Sequence, residues 1–179
     1  MGSPTNAFAF LIETLIHLYL VVILLRILLE AARVDFYNPI VQLLLRLTDP
    51  LVKPLARLIP NIGRLNTAAV VLLYVIQLIG LFILVGLSGR VPDPLVLTLL
   101  AVMRLVRMLL VLYMILIIVS VILSWVGQGA RHPIVPLTYQ LTEPVLAPIR
   151  RVLPSLGGLD LSPLIAIIGI QFLIILLGV

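Results

Sequence analysis

The amino-acid sequence predicts an all-α membrane protein with four transmembrane helices, arranged as two parallel helix–amphipathic connector–helix repeats. Two observations predict this class: a composition too apolar for water, and an internal duplication. Of the 179 residues, 63% are hydrophobic and 11% are charged, and the mean hydropathy is +1.31. A soluble domain averages about 45–50% apolar and about 25% charged residues. Lipid must therefore surround much of the surface.

The duplication is clearest in a twelve-residue stretch that occurs twice. It reads DPLVKPLARLIP at Asp49–Pro60 and EPVLAPIRRVLP at Glu143–Pro154, 94 residues later and without a gap. The correspondence extends outward, so that Gln77 recurs as Gln171. An internal repeat of this kind sets the architecture. It predicts three parts along the chain: a first repeat at 1–88, a turn at 89–94 and a second repeat at 95–179.

Four apolar stretches are predicted to cross the membrane, since about 20 apolar residues suffice. They are Ala7–Ala32, Thr67–Leu87, Met108–Trp125 and Leu161–Val179. The third belongs to a longer apolar run that begins at Leu95, and we expect Arg104 and Arg107 to mark its interfacial end. An Arg at mid-bilayer costs about 2.5–3.5 kcal/mol, which disfavours a deeper position.

Basic residues predict the orientation. The connectors between the paired spans hold eight of them, and the opposite face holds at most three. The eight are Arg33, Arg46, Lys53, Arg57, Arg64, Arg131, Arg150 and Arg151, and the three are Arg90, Arg104 and Arg107. The positive-inside rule then places both connectors in the cytoplasm and both termini outside.

The first connector, Arg33–Asn66, is predicted to contain a short amphipathic helix. Thr48 or Asp49 could cap its start, and Pro60 and Gly63 would end it. A helix of about 10–12 residues is too short to span and should lie in the cytoplasmic headgroup layer. Its polar stripe would comprise Arg46, Asp49, Lys53 and Arg57.

Prolines recur at equivalent positions of both connectors. Pro50 suits an early helical turn, whereas Pro54 removes a backbone hydrogen bond inside the helix and predicts a bend or break. The repeated set that predicts one bend in each half is Pro50, Pro54, Pro60, Pro144, Pro148 and Pro154.

Four ionisable residues interrupt the first span. Glu13 and His17 share one helical face, and Arg26 and Glu30 share another on roughly the opposite side. We expect Arg26 and Glu30 to lie near the cytoplasmic end, to snorkel and to pair with each other. Glu13 and His17 could instead form a proton relay, as ionisable groups within membranes often do. The second repeat has Arg107 in place of Glu13, which weighs against a relay kept in both halves.

Gln77 and Gln171 lie near the middle of their spans at equivalent positions. An amide there needs a partner, and interhelical hydrogen bonds of this type contribute about 0.6–2 kcal/mol. We interpret the two glutamines as structural glue, that is, as interhelical hydrogen-bonding contacts along a pseudo-twofold axis. The alternative is that they line an ion path. A channel needs a continuous path of polar side chains across the bilayer. Two Gln, a few Ser and one Glu–His pair provide few residues for such a path.

Catalytic chemistry has little support in the sequence. There is no cysteine, only two histidines, and seven scattered carboxylates without a phosphate-binding loop. We expect no enzyme and no cofactor. His132 occupies the position of Asn38 before a proline, which predicts a turn-capping role. The net charge of +5 indicates membrane orientation rather than nucleic-acid binding.

The segment Thr142–Pro163 carries the most recognisable phrase, T-E-P-x-L-x-P-I-R-R-x-x-P-x-x-G-G-x-D-L-S-P, preceded by Ser124-Trp125. It resembles the signature of the YggT family of bacterial membrane proteins, in the two-repeat form, over nearly the whole chain. The resemblance implies an inner-membrane protein linked to osmotic stress, potassium balance and envelope or division assembly. Plastid relatives are linked to cytochrome assembly and nucleoid distribution. The family brings no enzymatic activity and no catalytic residues.

The second repeat fits this signature better, since the first has Ala56 where the second has Arg150. If Arg150, Arg151 and Asp160 form a functional site, the first repeat keeps only the structural counterpart of that site, without its function. Lys53, Arg57 and the second-repeat arginines could anchor anionic headgroups or dock a cytoplasmic or membrane protein partner, and the sequence leaves both open. The sequence also leaves open whether the chain forms a homo-oligomer.

We therefore expect a non-enzymatic scaffold or assembly factor in osmotic-stress or envelope homeostasis. The alternative is a small potassium or proton channel, or a component of a transporter.

The orientation is testable by labelling intact cells. With single substitutions Ser3→Cys, Gly89→Cys and Ser155→Cys, a membrane-impermeant thiol reagent should modify the first two sites and spare the third. The reason is the basic bias of the connectors. Modification of the Ser155→Cys protein from outside would mean that the orientation is inverted.

Overall fold

The structure is a computed structural model that describes residues 4–63, 65–87, 89, 91, 93–126, 132–153 and 160–178. Within those residues the chain forms six helices and one isolated bridge between Ile62 and Leu65. The helices are α1 (Pro4–Ala31), α2 (Pro39–Ala56), α3 (Thr67–Leu87), α4 (Pro94–Val126), α5 (Ile134–Val152) and α6 (Ser162–Leu177). Several residues named above lie outside the described part: Arg64, Arg90, Arg131, Pro154 and the predicted labelling sites Ser3 and Ser155.

Three of the described helices are long and apolar enough to cross a membrane. They are α1 over Ala7–Ala31, α3 over its whole length, and α4 over Pro94–Trp125. Helix α6 is apolar but has 16 residues, which is about 24 Å at 1.5 Å per residue. The hydrocarbon core is about 30 Å thick. The described chain therefore supports three of the four predicted spans by length, and α6 is shorter than predicted.

The two halves share one arrangement. In each half the two apolar helices pack against each other and the connector helix packs against both: α2 against α1 and α3, and α5 against α4 and α6. The halves meet mainly along α3 and α4. The predicted order of helix, amphipathic connector and helix is confirmed in both.

The connector helices are longer than predicted, with 18 residues in α2 and 19 in α5. Helix α2 begins ten residues before the predicted cap. Asn38 is its N-cap and accepts a hydrogen bond from the backbone N–H of Ile40 at 2.9 Å, and Pro39 stands at the first helical position. Thr48 is no cap. It lies inside α2, fully buried, and donates a hydrogen bond to the carbonyl of Leu44.

Both connector helices continue through their prolines. Pro50 and Pro54 lie inside α2, and Pro144 and Pro148 lie inside α5. Of the bend or break predicted at Pro54, the break is therefore wrong, and the bend stays a prediction. Each proline leaves one backbone carbonyl without its helical donor, and packing against the bundle holds the helix together despite that loss. Helix α2 ends at Ala56, before Pro60, so Pro60 follows the helix end and does not create it.

The amphipathic character of the connectors is confirmed. The buried residues of α2 recur at helical spacing and face the bundle: Val41, Leu44, Thr48 and Val52. The opposite side carries the predicted polar stripe, and an open groove runs along it. The residues that line this groove are Arg46, Asp49, Pro50, Lys53, Pro54 and Arg57.

The connectors also join the two repeats. Leu44 of α2 shares one apolar cluster with Leu141 of α5. Beside that cluster, the side-chain amide of Asn38 donates to the carbonyl of Pro133 at 2.9 Å. His132 accepts the backbone N–H of Ile134 on Nδ1 at 3.3 Å. The predicted turn-capping role of His132 is confirmed.

The cost of an internal proline can be measured on a peptide that covers residues 38–58. Pro54→Ala should raise its helicity in detergent micelles, measured by circular dichroism, because an internal proline costs about 3 kcal/mol relative to alanine. Pro39→Ala is the matched control. It should leave the helicity nearly unchanged, because the N–H at the first helical position has no helical partner. Equal gains from both substitutions would contradict the assignment of Pro39 to the helix start.

Candidate functional site

The first polar site joins α1 to its connector through Arg26. Only 6% of this residue is exposed. Its Nε donates to Glu30 Oε1 at 2.8 Å, and its Nη1 donates to Thr48 Oγ1 and to Asp49 Oδ1, both at 2.7 Å. The predicted pairing with Glu30 is confirmed, but the predicted snorkelling is wrong. The guanidinium turns inward because two further acceptors on α2 satisfy its charge there.

Asp49 is the centre of this site. Its second oxygen accepts a salt bridge from Lys53 at 2.7 Å. Burial by itself would raise the pKa of Asp49, but hydrogen bonds and positive charge from Lys53 and Arg26 hold that pKa below its usual value. The carboxylate is therefore ionised at neutral pH and links a buried arginine to the exposed stripe.

The second repeat holds its equivalent carboxylate differently. Arg150 donates to Glu143 Oε1 at 3.0 Å and lies 2.9 Å from Asp160 Oδ2. The other oxygen of Asp160 accepts both the backbone N–H and the hydroxyl of Ser162, at the start of α6. Burial would raise the pKa of Asp160, and these bonds together with Arg150 lower it below the usual value. Arg151 is exposed beside this site.

The two repeats therefore place the arginine on different elements while the carboxylate keeps its position. Asp49 and Glu143 are equivalent in the duplication, but Arg26 corresponds to Ser120 and Arg150 corresponds to Ala56. The first repeat is thus no mere echo of the second. It has an ion-pair network of its own, built from α1.

The second candidate site is a cavity of about 490 Å³ between α1, α3 and α4. Five polar residues line it: Glu13, His17, Gln77, Arg104 and Arg107. The sequence singled out Glu13, His17 and Gln77 separately, and the structure brings them together. Arg104 and Glu13 form a salt bridge at 3.5 Å.

The two cavity arginines are those that the sequence predicts at the interfacial end of the third span. Gln77 is the eleventh of the 21 residues of α3, and Arg104 and Arg107 line the same cavity as Gln77. That they mark the interfacial end of the third span stays a prediction, and the structure adds that they share a cavity with Glu13 and His17. The sequence did offer a signal, because Arg107 occupies the repeat position of Glu13.

The two glutamines have different surroundings. Gln77 is 7% exposed and faces the cavity, whereas Gln171 is exposed on the outer side of α6. The prediction that this pair forms glue along a pseudo-twofold axis is wrong within the single chain. Sequence equivalence did not carry over, because Gln77 faces the cavity between α1, α3 and α4 and Gln171 lies on the exposed side of α6.

Comparison with known proteins follows the same division of the chain. The family model described as CCB3/YggT matches residues 5–87 and 99–179, once in each repeat. A protein from the proC 3′ region of Vibrio alginolyticus is 43% identical over 175 residues, covering 97% of this chain and 94% of the relative. The Escherichia coli K12 protein named YggT is 37% identical over 163 residues, covering 91% of this chain and 85% of that protein. No solved structure matches the chain.

The different burial of the two arginines predicts different effects on stability. Arg26→Met should destabilise the protein by about 3–5 kcal/mol, because it leaves Asp49 and Glu30 with a buried partner missing. Arg150→Met is the matched control. Its side chain is 46% exposed, so its loss should cost about 1 kcal/mol or less. Unfolding of the two purified variants in one detergent would measure both, and equal losses would contradict the buried role of Arg26.

Proposed function

The chain belongs to the CCB3/YggT family, and from that premise we propose that it is a non-enzymatic membrane scaffold or assembly factor. We place it in the bacterial inner membrane, with a role in osmotic-stress or envelope homeostasis. Its working surface would be the pair of connector helices. Three helices of membrane-spanning length support the membrane setting.

The observation that carries this proposal is the way in which the connectors lie on the bundle. Each buries an apolar face against the long helices and leaves basic side chains outside. Each Lys or Arg close to an anionic surface contributes about 1 kcal/mol of attraction. The side chains that would contact headgroups or a protein partner are Lys53, Arg57, Arg150 and Arg151, with Asp160 holding Arg150 in position.

The proposed topology has four crossings. Helix α6 packs along α4, and a short apolar helix can cross by local thinning of the bilayer. The fourth crossing would place both connectors on the cytoplasmic side, and both termini on the other side.

Ion conduction is the competing proposal, and the polar cavity favours it. An apolar layer lies between that cavity and the Arg26 site, however. Leu20, Ile23 and Leu73 belong to one buried cluster that extends to Val52 on α2. His17 and Arg26 are nine residues apart, about 14 Å along α1. These aliphatic side chains separate the cavity from the Arg26 site, which favours a scaffold over a channel.

The two proposals differ in liposomes that contain only the purified full chain. We expect potassium and proton flux equal to that of protein-free vesicles, with valinomycin added at the end to show that the vesicles are sealed. Flux above the protein-free level that falls with His17→Ala would overturn the scaffold proposal.

A complementation assay tests the role of the connectors. In a strain that lacks the gene, the wild-type chain should restore growth after an osmotic shift, and Arg150→Ala/Arg151→Ala should restore it less well. Lys53→Ala/Arg57→Ala is the matched pair from the first repeat and separates the two connectors. Full growth with both pairs would contradict a working surface on the connectors.

A further inference from the structure

The cavity between α1, α3 and α4 has a chemistry that the proposed connector surface does not use. We propose that it binds one anionic membrane phospholipid, with the headgroup phosphate at Arg104 and Arg107 and an acyl chain along the apolar wall. This site lies away from the connectors and does not depend on the scaffold role.

The shape of the bundle creates the cavity. Helices α1 and α4 both pack along α3 but touch each other at few positions, so a cleft remains between them with α3 behind it. Gly80 lets α1 approach α3 closely, since a Cβ at that position would lie 3.2 Å from the side chain of Ile16. The lining comes from residues 13–21 of α1, 77–84 of α3 and 104–115 of α4. Its ionisable residues lie in the N-terminal halves of α1 and α4, and α2 follows the C-terminal end of α1.

The charges in the cavity favour an anion. Among the residues that line the cavity, two guanidinium groups, Arg104 and Arg107, stand against a single carboxylate, Glu13. The charged lining residues thus carry a surplus of one positive charge. These groups lie on helices whose other surfaces are apolar, where lipid replaces water. Ionisable groups in such surroundings bind a partner of opposite charge.

The salt bridge already present can open to a ligand. Arg104 and Glu13 are 3.5 Å apart, with side chains 39% and 52% exposed. A charge-assisted hydrogen bond is normally about 2.7–2.9 Å long. The buried bond between Arg26 and Asp49 has that length, at 2.7 Å. A phosphate could therefore replace Glu13 at Arg104 without breaking a tight pair.

The remaining lining suits an acyl chain. Most of it is aliphatic, including Ile16, Leu20, Leu81, Leu84, Val111 and Ile115. The volume of about 490 Å³ lies within the range of about 300–1,000 Å³ that is usual for small-ligand pockets. Cations at one part of a cavity and aliphatic walls along the rest match an amphiphile with an anionic head. A small water-soluble anion would leave those walls without contact.

The test measures lipid binding to the full chain by native mass spectrometry in detergent, and phosphatidylglycerol is the probe. We expect one tightly held phosphatidylglycerol per chain. Arg104→Gln and Arg107→Gln should each weaken it about tenfold, the equivalent of one lost charge-assisted contact. Arg33→Gln removes the same charge from the exposed turn after α1, which belongs to no proposed binding surface, and should leave this tight binding unchanged.

The Glu13→Gln variant distinguishes a lipid-binding role of the cavity from a purely structural role of the Glu13–Arg104 salt bridge. Removing the competing carboxylate should strengthen phosphatidylglycerol binding several-fold, whereas a purely structural salt bridge would make Glu13→Gln and Arg104→Gln weaken it alike. The proposal is overturned if those two variants change affinity in the same direction. It is also overturned if phosphatidylethanolamine binds as tightly, if oleate displaces phosphatidylglycerol, or if a second copy of the chain occupies the cleft and excludes lipid.

Discussion

The buried charge of Arg26 is the constraint on which the arrangement of the first repeat depends. A guanidinium within an apolar helix must find acceptors, because an unpaired buried charge costs several kcal/mol. Glu30 supplies one acceptor from α1 itself, and Asp49 and Thr48 supply two more from α2. The connector helix is therefore held at one depth and in one rotation against α1. That rotation turns the rest of its polar stripe outward.

The second repeat reaches the same arrangement with a more exposed set of contacts. Arg150 bridges Glu143 and Asp160 within the connector and its following turn, and all three side chains are 43–52% exposed. Within the described part of the chain, Ser120, which replaces Arg26, donates to the carbonyl of Ile117 one turn back. One half of the molecule thus holds its connector by a buried charge and the other by a surface network. The duplication kept the carboxylate and allowed its partner to move.

The two polar sites are separated by an apolar layer, and that separation favours particular functions. The Arg26 site faces the connectors, and the cavity lies between α1, α3 and α4. Between them lie fully buried aliphatic side chains such as Ile23 and Leu20. This separation supports the proposed scaffold role over the competing proposal of ion conduction.

The sequence by itself determined the features that depend on local spacing. The apolar length of α1, α3 and α4, the amphipathic faces of the connectors, the Arg26–Glu30 pair and the cap at His132 all follow from residues within one or two helical turns. The limits of α2 were missed for a related reason. Thr48 before Asp49-Pro50 has the form of a helix start, and only the tertiary burial of Thr48 shows that the helix passes through.

Only the tertiary structure decided the contacts between helices. Glu13 and Arg104 are 91 residues apart, and no periodicity within a helix can bring them together. The same holds for Gln77 and Gln171, which share a repeat position but differ in surroundings, because Gln77 faces the cavity between α1, α3 and α4 and Gln171 is exposed on α6. Apolar helices tolerate many rotations against one another. The rotation that is adopted depends on which charged side chains pair between helices. Those pairs join distant parts of the sequence, so spacing within one helix does not predict them.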